Sequence, residues 1–192
     1  MNQLVLSEKA ASLLAQWHGS RGDNALPSAK FIDPIKLRGW VGDLSVVHLH
    51  EGKRRFYVAL HGSNAAGHLG PNFHQKYLED VAPLTAHANT FAPYQLSIKT
   101  KQPTYSIQRA SLDSGLFKTL ERMILPCSLD DPSTVARFLI WVAPIESKSP
   151  HSSLAFSPYD QGEPHSNGSE IMENWADLFL LSDEYAVPPN SN

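Results

Sequence analysis

Six consecutive residues, Phe138 to Ala143, are apolar, and they sit inside a longer run from Thr134 to Pro144. A strand with one wet face alternates apolar and polar residues, whereas a strand without a polar position needs cover on both faces. The run is far short of the roughly 20 residues that cross a bilayer. It therefore predicts a central strand of a sheet, and the rest of the chain must supply its neighbours.

Four further strand-like runs are present. Leu44 to His50 and Arg55 to His61 flank a short Glu51-Gly52-Lys53 turn, the pattern of a hairpin. Phe56, Val58 and Leu60 then share one face. Pro103 to Ser111 alternates, and Asp113-Ser114-Gly115 turns the chain into Leu116 to Cys127. Between the two groups lie helical patterns at Ser63 to Leu69, at Gln75 to Val81 and at Pro83 to Thr100, the last with Pro93 placed to kink or divide it. The order is two strands, short helices, then three strands. This predicts an α+β fold: a five-stranded antiparallel sheet with helices on one face.

The flanks differ from this centre. Ser7 can cap a helix carrying Ala10, Leu13, Leu14 and Trp17 at helical spacing, with Gly19 and Gly22 at its end. Residues 1–38 read as that helix and an arm, and 39–146 as the domain. Residues 147–168 read as a flexible linker, because 145–170 hold seven Ser, three Pro and two Gly. Residues 169–187 read as an acidic amphipathic helix, with Ile171, Trp175, Leu178 and Phe179 on one face. Such a face predicts docking on the domain, a sister subunit or another protein.

Charge follows the same division. The net charge is −3, but residues 1–148 hold all sixteen Lys and Arg against twelve acidic residues, and 149–192 hold seven acidic residues and no basic one. A balance of +4 against −7 predicts different jobs for the two parts. Generally basic nucleic-acid binding is excluded by the low positive excess. The lone Cys127 excludes an internal disulfide framework and a Cys-based zinc finger. No basic segment followed by a long apolar one opens the chain, so the expectation is a cytoplasmic protein without a membrane span.

With these elements in order, the chain resembles the PAS domain family, and within it a bacterial PAS-like subfamily described as a domain of unknown function. The shared features are Trp17 ahead of the domain, Leu26-Pro27, Ile32-Asp33-Pro34 before the first strand, Leu60-His61-Gly62, Leu69-Gly70 and Leu125-Pro126. They cover residues 13–146. Gly70-Pro71-Asn72 departs from the pattern, where the family often has an acidic residue and a Thr-Gly. The resemblance implies a sensory module that binds a small ligand between sheet and helices, or a protein partner through the sheet face and flanking helices, and signals in trans. A homodimer is the expected assembly. The resemblance leaves the cofactor open.

The pocket it implies would be lined by His87, Phe91, Tyr94, Tyr105, Phe138 and Trp141, which lie on the elements around a PAS-like cavity; a filled core uses the same residue types. His87 is also the best-placed haem ligand of the nine His, and its plainer account is a half-buried His bonded to neighbours. His48 and His50 share a strand face, but two imidazoles fall short of a metal site. No Gly-x-Ser-x-Gly elbow or phosphate-binding loop is present, Gly62 to Gly67 reads as a tight strand-to-helix turn, and no catalytic residue is assigned. Glu79-Asp80 reads as a solvated face. Cys127 reads as a structural thiol. Lys53, Arg54 and Arg55 form the densest basic cluster, a candidate contact for a partner, for a nucleotide or phosphate, or for the acidic tail, with a solvated hairpin tip as the plainer account. The alternatives to a ligand sensor are an interaction adaptor with an inert core and, behind it, a small cone-shaped enzyme of the NTF2-like type.

Overall fold

A computed structural model describes residues 6–50, 52, 55–69, 73–81, 87–111, 117–145 and 175–180. Seven strands form one sheet: β1 (Leu44–His50), β2 (Arg55–His61), β3 (Lys76–Tyr77), β4 (Thr104–Ser111), β5 (Phe117–Cys127), β6 (Arg137–Pro144) and β7 (Trp175–Leu180). Their spatial order is β3-β2-β1-β6-β5-β4-β7, and every neighbouring pair is antiparallel. The five expected strands are all present, and β6 is the central one. Phe138 to Ala143 is buried without a break along it.

Among the described residues four α-helices accompany the sheet: α1 (Glu8–Arg21), α2 (Ser63–Leu69), α3 (Leu78–Val81) and α4 (His87–Thr100). Ser7 caps α1, accepting a 3.3 Å bond from the Ala10 N–H, and Gly22 ends it at φ +55°, where glycine carries no steric penalty. Ala10, Leu13, Leu14 and Trp17 are all buried. The arm after α1 joins the core rather than hanging from it. Leu26, Phe31 and Leu37 are buried, and Ser128 exchanges backbone bonds with Pro27 and Ala29 at 2.9 and 2.7 Å.

Strand alternation divides the sheet residues between two faces. Phe138, Ile140 and Val142 of β6 share one face with Pro126, Ile124 and Arg122 of β5, as their pairing requires. Tyr94 of α4 packs on Phe138 there, ring to ring at 5.1 Å, so α4 covers this face. Leu139, Trp141 and Ala143 share the other face with Leu125, Met123 and Glu121. The Ser7 hydroxyl bonds Glu121 on that side, so α1 supplies the second layer. The central strand is thus covered from both sides.

The structure corrects three sequence expectations. Lys76–Tyr77 pairs with β2 before the helical turn of α3 begins, so only Leu78–Val81 of the 75–81 pattern is helical. Of the two expectations for Pro93, a kink or a break, the break does not occur, and Pro93 lies inside a continuous α4. Residues 175–180, expected on an amphipathic helix, form β7 against β4. Their apolar spacing satisfies a helix face, but the open edge of β4 offers backbone partners that a helix face does not use. Ile171 lies outside the described residues.

Candidate functional site

On the α4 side of the sheet, four aromatic rings meet. Phe56 of β2 stacks on Phe91 at 5.5 Å and meets Tyr94 at 4.8 Å and Phe138 at 6.0 Å. Phe138 is fully buried and Tyr94 is 3% exposed. Beside them lies Arg122, also buried, its guanidinium carbon 5.9 Å from the centre of the Tyr94 ring. Burial brings the Arg122 pKa down to about 10, which leaves it charged at neutral pH. Burial pushes the Tyr94 hydroxyl up to about 12, against the opposing pull of Arg122. The Thr90 hydroxyl, one turn earlier on α4, is buried with no hydrogen-bond partner among the described residues. This end of the domain can offer a ring surface, a cation and a hydroxyl to a small molecule, but its rings already pack on one another.

The expected pocket residues are split between the two faces. Phe91, Tyr94 and Phe138 meet as described, with Phe56 as a fourth member that the sequence placed on an apolar strand face without assigning it to the site. Tyr105 and Trp141 belong to the opposite face, in one row with Met123 and Leu44. The reason is parity: Phe138 and Trp141 are three residues apart on one strand and so point to opposite sides. Tyr105 donates to Glu121 at 2.9 Å, and the buried Trp141 indole nitrogen has no partner among the described residues. The side chain of His87 lies outside the described residues.

The β1–β2 hairpin carries a second polar group. Tyr57 faces both His48 and His50, at ring distances of 6.4 and 5.6 Å, so the two imidazoles share a side as expected. His50 Nδ1 is 3.0 Å from the Tyr77 hydroxyl. Burial lowers the His48 pKa, with Arg137 and His50 adding to the effect. Among the described residues no group of three or more His, Cys, Asp or Glu side chains could hold a metal ion. Arg55 lies 3.9 Å over the Tyr77 ring and pairs with Asp80 and, at 3.8 Å, with Glu79. Glu79 also accepts the Phe56 N–H at 3.0 Å. The carboxylates expected on a solvated face therefore engage the basic hairpin. Lys53 and Arg54 lie outside the described residues.

The described part of the tail lies elsewhere. β7 is at the far edge of the sheet from β2, five strand spacings or about 24 Å away. Trp175, Leu178 and Phe179 accordingly lie beside β4 and not beside Arg55. Leu60 departs from its expected face as well. A register shift between Val46 and Val47 takes it off the Phe56–Val58 row, and it is 46% exposed.

One Ser–His pair was not anticipated. Ser45 Oγ and His61 Nδ1 are 2.8 Å apart across β1 and β2. Burial lowers the His61 pKa, and nearby His74 lowers it further. Ser45 is 5% exposed, so the pair ties two strand ends together and does not present a nucleophile. Among the described residues no helix is long and apolar enough to cross a membrane.

No family model matches the chain. No curated protein matches it in sequence. Solved structures do match. A LOV protein of Rhodobacter sphaeroides is similar at 12% identity and a TM-score of 0.43, over 62% of this chain and 72% of that one. The PAS domain of a protein from Colwellia psychrerythraea is similar at 13% identity and 0.40, over 59% and 98%. A sensory box histidine kinase/response regulator from Burkholderia thailandensis is similar at 11% identity and 0.36, over 59% and 85%.

Proposed function

We propose that the chain is a PAS-like regulatory module that binds a protein partner, a small ligand or both, and passes its signal in trans. The observation that carries this reading is the sheet connectivity. The strands before the helices, β1 and β2, lie on one side, and β4 to β6 lie on the other. The first and last of the five expected strands, β1 and β6, are neighbours at the centre, and α2 to α4 all fall between β2 and β4 in the chain. Two strands, then helices, then three strands in one antiparallel sheet is the order on which the PAS resemblance rests.

The interlocked rings of Phe56, Phe91, Tyr94 and Phe138 favour the partner-binding form, because they fill their part of the interior with the chain's own side chains. The buried Thr90 hydroxyl, with no hydrogen-bond partner among the described residues, favours a small polar ligand as the second form. Native mass spectrometry of the purified full chain separates them. A retained small-molecule mass supports the ligand form; a bare core in a defined dimer or hetero-complex supports the partner form. A bare monomer with turnover that His61→Ala abolishes would overturn both in favour of an enzyme.

A further inference from the structure

Pro144, Leu120, Gln108 and Trp175 stand in one row across β6, β5, β4 and β7. The end of β6 and the start of β7 are therefore three strand spacings apart, about 14 Å. About five extended residues would cover that distance. The chain uses thirty, residues 145–174, with an extended reach of about 100 Å. For any flexible tether, the local concentration of its end falls roughly as the −3/2 power of length. Lengthening it from about six residues to thirty lowers that concentration about tenfold. The connection is thus about six times longer in residues than the topology requires.

We propose that the edge of β4 is a strand-docking site for an extended segment of a partner protein, with residues 175–180 as its tethered, displaceable occupant in the lone chain. The cis strand shows what the site takes. It pairs antiparallel with Thr104 to Gln108, through Leu180, Phe179, Leu178, Asp177 and Trp175. Its sequence is apolar apart from one Asp and carries no basic residue. β4 carries Arg109 and no acidic residue. The partner segment is accordingly an extended, largely apolar strand, neutral or acidic, added by backbone pairing. This names the contact surface for the partner-binding reading and rests on it. That reading fails separately, if native mass spectrometry finds neither dimer nor complex.

The probe is a dye-labelled synthetic peptide of residues 173–182, added to the full chain. Neighbouring N–H groups on a strand point to opposite edges, so the double variant Leu178→Pro/Phe179→Pro removes one that faces β4, whichever it is. The peptide should bind this variant at least tenfold more tightly than the unaltered chain, and a peptide with the same two prolines should not bind. In ¹⁵N spectra the shifts should centre on the amides of Thr104 to Gln108. A folded variant that ignores the peptide, or shifts centred elsewhere, overturns the proposal. Should the variant not fold, millimolar peptide on the unaltered chain must shift the same amides and release residues 175–180; no change there overturns it equally.

Discussion

The Tyr105 hydroxyl donates a 2.9 Å hydrogen bond to Oε2 of Glu121, beneath the first turn of α1. Burial raises the Glu121 pKa above its ordinary 4.5, while bonds from Ser7 and Tyr105 and the Lys9 charge pull it back. The native state thus holds this proton more tightly than the unfolded chain does. The contribution to stability is complete below the ordinary value and is lost as pH rises through the raised one. Glu121→Gln should remove that decline and be the more stable form at neutral pH. Urea midpoints for both proteins from about pH 4 to 7 test this; parallel curves would clear Glu121 of any part in it.

Tyr105→Phe takes one donor from the same buried carboxylate. The cost should be about 1–3 kcal/mol at neutral pH. It should shrink in acid, where the protonated carboxyl no longer needs that donor. A cost independent of pH would place the effect in packing alone.

Trp17 is fully buried, and its indole N–H donates to the Pro126 carbonyl at 2.8 Å, tying α1 to β5. Trp17→Ala should cost about 3–5 kcal/mol. Trp17→Phe keeps most of the ring but strands the carbonyl, at about 1–3 kcal/mol. Equilibrium denaturation should rank the two in that order.

Two glycines should respond in opposite directions. A Cβ at Gly62 would lie 2.4 Å from the Gly42 carbonyl oxygen and 2.6 Å from that of Leu44. Backbone cannot swing aside as a long side chain can, so Gly62→Ala should cost about 3 kcal/mol or more. Gly19 lies within α1 with nothing inside 4 Å of such a Cβ, so Gly19→Ala should stabilise by about 0.5–1 kcal/mol. Thermal melts of the pair provide the check.

Cys127 is fully buried, and burial pushes its thiol up to about 12. A thiol-specific dye at pH 8 should label the unfolded chain at once and the native chain only as fast as it opens. Prompt labelling of the native chain would show that this end of β5 is open to solvent.

The sequence and the fold agree where burial and length act together. β6 was legible because Phe138 to Ala143 leaves no polar position to face water, and the β1–β2 hairpin because its turn is short and polar. β3 was not legible: two residues, Lys76 and Tyr77, carry no period. The tail failed differently. Trp175, Leu178 and Phe179 fit a helix stripe and also fall within a short apolar run, and periodicity cannot arbitrate between the two. Only the edge of β4 settles it. The split of the aromatic site could have been read, since counting from Phe138 to Trp141 gives an odd interval. The tie between Ser7 and Glu121 could not, because it joins residues that only the packing of α1 brings together.

The long connection before β7 also sets an order of events during synthesis. Thirty-five residues follow Ile145 up to and including Leu180. At about 5–20 residues per second the ribosome needs about 2–7 s to make them. Small mixed domains fold in milliseconds to seconds. The first six strands therefore have time to assemble with β4 outermost, its backbone groups exposed to any neighbouring nascent chain. The last strand is thus also the last to be made, and it closes an edge that β1 to β6 define without it.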